Sequence, residues 1–198
     1  MRVILASGSP RRKELLKQLF ADFEVLPAKG SEIYTEQEPD KIVQQLAAQK
    51  AAEVESSVVR QEEEPMLVIG ADTVVAFQGQ ILGKPADAKQ AKEMLKTLAS
   101  DVHQVYTGVA LIVIQHGKRQ CLEFAECTNV RFYPMTAQEI EAYVQSGEPM
   151  DKAGAYGIQG IGGRFVEGIK GDYQNVVGLP LAKLYQVLKK IDEIALPF

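Results

Sequence analysis

Apolar segments of strand length alternate along this chain with segments of helical periodicity. Strands are predicted over residues 3–6, 23–26, 66–69 with a continuation over 74–77, 105–114, 122–132 and 165–169. A helix is predicted to begin at residue 10, and others over 39–54, 88–98, 137–145 and 180–194, with a solvated acidic loop over 61–65. The alternation favours layers of helix and sheet, while the turn at His116-Gly117 implies that two long strands pair antiparallel. The sequence therefore predicts an α/β protein with flanking helices around a long mixed β-sheet.

Composition limits the class of protein. The 198 residues, 46% of them hydrophobic, suffice for the core of one domain or of two closely packed lobes. No apolar run has the length of a membrane span, and Arg11, Arg12 and Lys13 interrupt the apolar start before it forms a signal-peptide pattern. Two cysteines are too few for a disulfide framework and favour free thiols in a reducing compartment. These features predict a cytoplasmic protein with no membrane partner.

The net charge also restricts the partners. At −4, it argues against a general nucleic-acid binder, whose surface normally carries a basic excess. It leaves room for a local basic pocket that binds a small anion. His103 and His116, which lie in or beside predicted strands, are interpreted as structural.

The first strand leads into a candidate phosphate site. The sequence Ser7-Gly8-Ser9 interrupts the apolar run, and Pro10 is well placed for the first turn of a helix. Unpaired N–H groups at a helix N-terminus attract anions, and Ser9, Arg11 and Arg12 add hydroxyl and guanidinium donors that suit phosphate oxygens. The alternative is an ordinary strand-to-helix turn with Ser9 as the N-cap and solvated arginines.

Three charged residues are candidates for catalysis or binding. Asp72 lies at a predicted strand break after Gly70-Ala71, where its carboxylate can bind Mg²⁺, act as a general base or hydrogen-bond its own turn. Lys84, on a loop before a proline, is either a phosphate contact or a solvated lysine. Glu32 is a second candidate metal ligand, with membership of a solvated acidic loop as the alternative.

A glycine-rich segment, residues 154–163, follows the helix predicted over 137–145. Glycines cluster near Tyr156 and Gln159, which suggests that the backbone approaches a ligand closely, and the amide of Gln159 suits the edge of a nucleobase. A flexible surface loop is the alternative interpretation.

In combination, these segments resemble the Maf family of nucleoside triphosphate pyrophosphatases. The matching motifs, in order along nearly the whole chain, are SGSPRR at 7–12, GADT at 70–73, GKP at 83–85, GEPMDKAGAYGIQG at 147–160 and VGLP at 177–180. The resemblance implies a Maf/ITPase-like fold in which residues 1–198 form a single domain with two closely packed lobes, a cleft between them and a dimeric assembly. Segment 29–34, which contains Glu32, keeps only part of the family's acidic pattern.

The resemblance also implies an activity. It is the metal-assisted hydrolysis of a nucleoside triphosphate to the monophosphate and pyrophosphate. The sequence of residues 154–160 is similar to that of the family branch that acts on dTTP and UTP. The position of Asp72 is then the proton acceptor, and those of Arg11, Thr73 and Gln159 are associated with substrate choice.

The mechanistic hypothesis assigns each candidate a role. Mg²⁺ or Mn²⁺, held by Asp72 or Glu32, neutralises the triphosphate, while Ser9, Arg11, Arg12 and Lys84 hold its phosphates. Whether Asp72 is the base or a metal ligand is left open. The rival hypothesis is a nucleotide-binding regulator of cell division that has little catalytic activity.

Overall fold

The strands and helices of the protein follow the predicted alternation. The computed structural model describes residues 1–59, 64–191, 194 and 196. The strands are Arg2–Leu5 (β1), Glu24–Val25 (β2), Met66–Phe77 (β3), Gln80–Leu82 (β4), Val102–Gln115 (β5), Lys118–Phe132 (β6) and Val166–Lys170 (β7). The helices are Pro10–Leu16 (α1), Pro39–Ser57 (α2), Ala88–Leu98 (α3), Ala137–Gln145 (α4), Tyr173–Val177 (α5) and Leu181–Leu188 (α6). Short 3-10 helices over Glu148–Asp151, Ala153–Ala155 and Ile161–Phe165 lie between α4 and β7.

The strands form a mixed sheet. Its order is β2-β1-β3-β5-β6-β7, with β4 paired to β3. Strand β1 is parallel to β2 and β3, whereas β4 is antiparallel to β3 and β7 is antiparallel to β6. The predicted mixed α/β class is therefore confirmed. No helix in the described part of the chain is both long and apolar enough to cross a membrane.

The chain divides into two compact units, each with its own apolar core. The first comprises residues 1–72, 107–126 and 178–198, and the second comprises residues 73–106 and 127–177. In the first unit, α2 packs on β1, β3 and β5. In the second, apolar side chains of α3 and α4 share a core with those of β6 and of the 3-10 segments. That residues 1–198 form one domain remains a prediction.

Strand β3 corrects one expectation. The predicted break over residues 70–73 is wrong, because the strand continues without interruption from Met66 to Phe77. Gly70 serves a close approach to α2 instead: a Cβ at this position would lie 2.2 Å from the carbonyl oxygen of Ala47. Asp72 is consequently a buried strand residue rather than an exposed turn residue.

Other differences concern the ends of elements. The last helix ends at Leu188 and not near 194, because the chain tightens there into turns in which the amides of Lys190 and Ile191 bond three residues back. Helix α5 was not predicted. Residues 61–63 of the predicted acidic loop, and residues 192 and 193 of the predicted last helix, lie outside the described residues.

Candidate active site

In the first unit, the turn between β1 and α1 is built around two serines. The Ser9 hydroxyl caps α1 by accepting a hydrogen bond from the Arg12 amide at 3.4 Å, and the Ser7 hydroxyl accepts one from the Ser9 amide at 3.3 Å. The predicted N-cap interpretation of Ser9 is thus confirmed. A hydroxyl that accepts a hydrogen bond retains its own proton as a donor, so the cap does not prevent Ser9 from contacting a ligand.

Arg12 is a fixed part of this turn rather than a solvated arginine. Its Nε donates to the carbonyl oxygen of Gly178 at 2.8 Å, and its Nη1 donates to the Ser7 hydroxyl at 3.0 Å. Burial lowers the pKa of the guanidinium, an effect that the negative charge of Asp72 opposes. Arg12 therefore joins the motif at 7–12 to the motif at 177–180. Arg11, its neighbour, is half-buried.

A lysine brings the two predicted metal-ligating carboxylates together. The Lys50 ammonium contacts Oδ1 of Asp72 and lies 2.7 Å from Oε1 of Glu32. The exposed fractions of the side chains are 10% for Asp72, 17% for Lys50 and 57% for Glu32. Asp72 comes from β3, Lys50 from α2 and Glu32 from the loop that precedes α2. The cluster is a charged site in which the aspartate is buried and the glutamate is exposed to solvent.

Sequence reasoning missed Lys50, although a signal was present. The residue lies within the helical stripe of Leu46, Ala47 and Val54, all of which are buried. Because a lysine is rarely placed on a buried helix face unless its ammonium is paired, this position indicates an acidic partner.

Helix α2 also orders the irregular loop that carries Glu32. Three of its side chains, each one helical turn from the next, bond to the loop backbone. The Glu53 carboxylate accepts hydrogen bonds from the amides of residues 29 and 30 at 2.6–3.0 Å. The Gln49 side chain accepts one from the amide of residue 33 and donates one to the carbonyl oxygen of residue 31. The Gln45 side chain accepts one from the amide of residue 35 at 3.1 Å. Glu32 is exposed, but the backbone on both sides of it is held.

The remaining predicted site residues lie in the second unit. Thr73 directly follows Asp72 on β3 and is half-buried, while Lys84 and Gln159 are exposed. The carbonyl oxygen of Gly83 accepts the Gly154 amide at 3.1 Å, which brings the Lys84 loop against the start of the glycine-rich segment. One backbone hydrogen bond thus links the loop that carries Lys84 to the start of the segment that carries Gln159.

Two glycines of the glycine-rich segment lie against side chains of the protein itself. At Gly160, a Cβ would lie 2.4 Å from Oε2 of Glu148, and at Gly162 it would lie 2.4 Å from the hydroxyl of Tyr143. These glycines make room for side chains of the protein itself, so the predicted reason for them, close approach to a ligand, is not what the structure shows at these two positions.

The fold and the lysine–carboxylate cluster together define a mixed α/β protein whose charged groups suit a phosphorylated ligand and a cation. A more specific assignment comes from sequence comparison. The chain belongs to the Maf family, since the family model described as "Maf-like protein" matches residues 2–191.

Curated relatives match over nearly their whole length. A protein of Agathobacter rectalis named "dTTP/UTP pyrophosphatase" is 52% identical, with 96% of this chain and 97% of the relative covered. Proteins with the same name from Halalkalibacterium halodurans and Bacillus cereus are 50% and 48% identical, with coverage of 94% and 96% of both chains, respectively. Among solved structures, a Mycobacterium abscessus protein described as "Nucleoside-triphosphatase / dITP/XTP pyrophosphatase" matches with a TM-score of 0.38 and 14% identity, over 69% of this chain and 77% of that one.

Proposed function

We propose that this chain hydrolyses dTTP and UTP to the nucleoside monophosphate and pyrophosphate, with modified pyrimidine nucleotides left open as further substrates. The observation that carries the proposal is the Asp72–Lys50–Glu32 cluster, found in a chain about half identical to proteins named for this reaction. The cluster combines a buried carboxylate with a fixed positive charge, which is the pairing that attack on a phosphoanhydride requires.

Asp72 supplies the base in this proposal. Its Oδ1 contacts Lys50, which leaves Oδ2 to accept a proton from the attacking water. The water oxygen forms a bond to the α-phosphorus, the bond from that phosphorus to the α–β bridging oxygen breaks, and pyrophosphate leaves. The Lys50 ammonium orients Asp72 and places positive charge where negative charge develops.

The donor set fits Mg²⁺ or Mn²⁺. Both ions prefer hard oxygen ligands, and Mg²⁺ commonly binds through one or two carboxylates together with substrate phosphates. No group of three or more His, Cys, Asp or Glu side chains that could hold a metal occurs among the described residues, so an ion would be held by Glu32, joined by Asp72 in the alternative in which Asp72 is a metal ligand and not the base. A bound ion would supply charge neutralisation on the phosphates.

The other predicted residues would bind the substrate and determine which nucleotide is selected. Ser9, Arg11, Arg12 and Lys84 would contact phosphate oxygens, because hydroxyl, guanidinium and ammonium groups are their natural donors. Substrate choice would involve Arg11 and Thr73 together with Gln159, whose amide can pair with a uracil-type edge through both of its polar atoms. A homodimer, a cytoplasmic location and the absence of nucleic-acid and membrane partners complete the proposal.

The test is pyrophosphate release from dTTP, UTP, CTP, GTP, ITP and 7-methyl-GTP with Mg²⁺ or Mn²⁺. Turnover should be confined largely to dTTP and UTP. Asp72→Asn should reduce it by about a hundredfold or more, because a base or a metal ligand is lost. Lys50→Met should reduce it by at least about tenfold through loss of the positive charge.

Lys41→Met, at an exposed position of the same helix, is the matched control and should retain full turnover. Nucleotide binding without turnover in the wild type would contradict the proposed hydrolysis and favour the hypothesis of a nucleotide-binding regulator. Full activity of Asp72→Asn with unchanged metal dependence would remove Asp72 from the mechanism.

A further inference from the structure

The Glu148 carboxylate lies at the centre of the backbone bonds that shape the glycine-rich segment. Its Oε2 accepts the Ile161 amide at 2.8 Å, and its Oε1 accepts the Gly162 amide at 3.1 Å. These are the first amides of the 3-10 helix Ile161–Phe165, so one carboxylate satisfies two N–H groups that the helix leaves unpaired. Both bonds are charge-assisted and therefore stronger than bonds between neutral groups.

Tyr143 extends this network to the other side of Gln159. Its hydroxyl donates to Oε1 of Glu148 at 2.9 Å and accepts the Gly157 amide at 3.1 Å. The tyrosine is 2% exposed and packs against Phe165, with a distance of 5.4 Å between ring centroids. Burial raises the pKa of the hydroxyl, which therefore remains protonated and able to donate.

Glu148 is itself held in place. Its amide donates to the Ser146 hydroxyl at 3.3 Å, and its carbonyl oxygen accepts the Lys152 ammonium at 2.7 Å. Partial burial raises the pKa of its carboxyl, but the bonds from the Gly162 and Ile161 amides and from Tyr143 outweigh this effect and leave the pKa below its ordinary value. The group that organises the segment is thus an ionised carboxylate with little freedom to move.

The sequence of the segment is adapted to this carboxylate. Because Gly160 and Gly162 have no side chain, the backbone can approach Glu148 and Tyr143. A Cβ would lie 2.4 Å from Oε2 of Glu148 at Gly160, and 2.4 Å from the Tyr143 hydroxyl at Gly162. Residues 157, 161 and 162 are fixed by hydrogen bonds, and Gln159 lies on the short stretch between them with its side chain exposed.

We infer that Glu148 is a positioning residue for nucleobase selection: with Tyr143, it fixes the segment from which Gln159 contacts the base. The inference rests on the proposed hydrolysis of dTTP and UTP and on the role proposed there for Gln159. A fixed segment presents the Gln159 amide in one orientation, so a base with the matching edge binds without the cost of ordering the loop. A mobile segment lets the amide adapt to other bases, and discrimination falls.

The experiment compares Glu148→Gln with the wild type. The substitution keeps the shape of the side chain but replaces one acceptor oxygen by an NH₂ group that faces a backbone amide, so one bond is lost and a repulsive contact appears. The ratio of kcat/KM for UTP to that for CTP should fall by about tenfold or more, mainly through a higher KM for UTP, with kcat within about threefold of the wild type.

Two further variants separate positioning from general damage. Glu141→Gln, on α4, removes the same charge from an exposed ion pair with Lys92 and should leave the ratio unchanged. Tyr143→Phe removes the hydroxyl without a change of charge and should lower the ratio in the same direction, and it carries the test if Glu148→Gln does not fold. In a Gln159→Ala background, Glu148→Gln should cause no further fall in the ratio, because both changes act on one contact.

The outcomes distinguish this inference from the proposed function. If the wild type releases no pyrophosphate from any nucleotide, the proposed function is wrong and the inference falls with it. If the wild type hydrolyses dTTP and UTP but Glu148→Gln and Tyr143→Phe keep its base preference, the inference alone is overturned. Equal losses of turnover for every nucleotide would also contradict it, since they indicate a merely structural role.

Discussion

His103 is a buried titratable residue that the proposed reaction does not use. It has 0% exposure, its Nε2 lies 2.8 Å from the Tyr156 hydroxyl, and its ring meets those of Phe132 and Tyr156 edge to face. Its Nδ1 has no hydrogen-bond partner among the described residues. Burial lowers the pKa of His103 to about 4, although the charge of Asp101 opposes the shift. The histidine is therefore neutral in the folded protein at pH 7, in agreement with its predicted structural role.

This burial makes the stability of the protein pH-dependent. The folded-state pKa is about 4, below the ordinary 6.5, so the unfolded chain binds more protons between these values. The contribution of the neutral histidine is fully present above pH 6.5 and is lost as the pH falls toward 4. Over this range, we expect the free energy of unfolding to drop by about 3 kcal/mol more in the wild type than in His103→Gln. Urea unfolding at several pH values measures the difference.

The comparison with the wild type isolates His103, because every other titratable group is the same in the two proteins. Identical pH dependence in His103→Gln and the wild type would mean that protonation of His103 is not coupled to unfolding.

Sequence reasoning found the acidic residues of the candidate site more easily than the basic one. The glycine and alanine that precede Asp72 predict a strand break and single it out, yet the strand is continuous there and the carboxylate is buried. Lys50 is harder to find from the sequence, because its acidic partners lie 22 and 18 residues away along the chain. A pairing that depends on how a helix packs on a strand has no local signature, apart from the unusual position of the lysine on the apolar face.

At the scale of elements, glycines determine how closely α2 approaches the sheet. A Cβ on Gly70 of β3 would lie 2.2 Å from the Ala47 carbonyl oxygen, and one on Gly108 of β5 would lie 2.3 Å from backbone atoms of Val43. The obstacles are backbone atoms of the helix, which cannot rotate away as a side chain can. The spacing matters for the candidate site, since Asp72 lies on β3 and Lys50 on α2.

Gly70→Ala should therefore destabilise the protein. The added methyl group must push α2 away from β3, and overpacking of this kind costs about 1–3 kcal/mol or more in the free energy of unfolding. The midpoint of urea unfolding should fall while the m-value stays the same. Gly168→Ala is the matched control, because the space around Gly168 is open and its cost should remain within about 0.5 kcal/mol. Equal stability of the two variants would contradict this account of the helix–sheet spacing.

The helices with strong local signals were the best predicted elements. Helix α3 begins after an Asp87 cap, and α4 begins with a capping box formed by Thr136 and Glu139, so both have the predicted bounds. Helix α5 was missed because it depends on a distant contact: the buried Asn175 side chain donates to the carbonyl oxygen of Val105 and to the hydroxyl of Thr128. The 3-10 helix over Ile161–Phe165 was missed for the same reason, since its first amides bond to Glu148.

For the molecule as a whole, the connectivity of the two units decides whether they can be separated. Neither unit is contiguous in sequence: the first combines 1–72 with 107–126 and 178–198, and the second combines 73–106 with 127–177. The chain passes from one unit to the other four times, inside β3, β5 and β6 and between Val177, the last residue of α5, and Gly178. No single cut of the chain therefore releases a complete unit.

This connectivity predicts one cooperative unfolding transition, as expected if residues 1–198 form a single domain. Each unit must bring together segments that are distant in sequence, and β3 and β5 contribute residues to both cores, so the loss of either core disrupts strands of the other. Differential scanning calorimetry should give a single peak whose calorimetric and van't Hoff enthalpies agree. Far-UV circular dichroism and tyrosine fluorescence should report the same midpoint in urea. Two resolved peaks, or a calorimetric enthalpy well above the van't Hoff value, would show that the units unfold separately despite the shared strands.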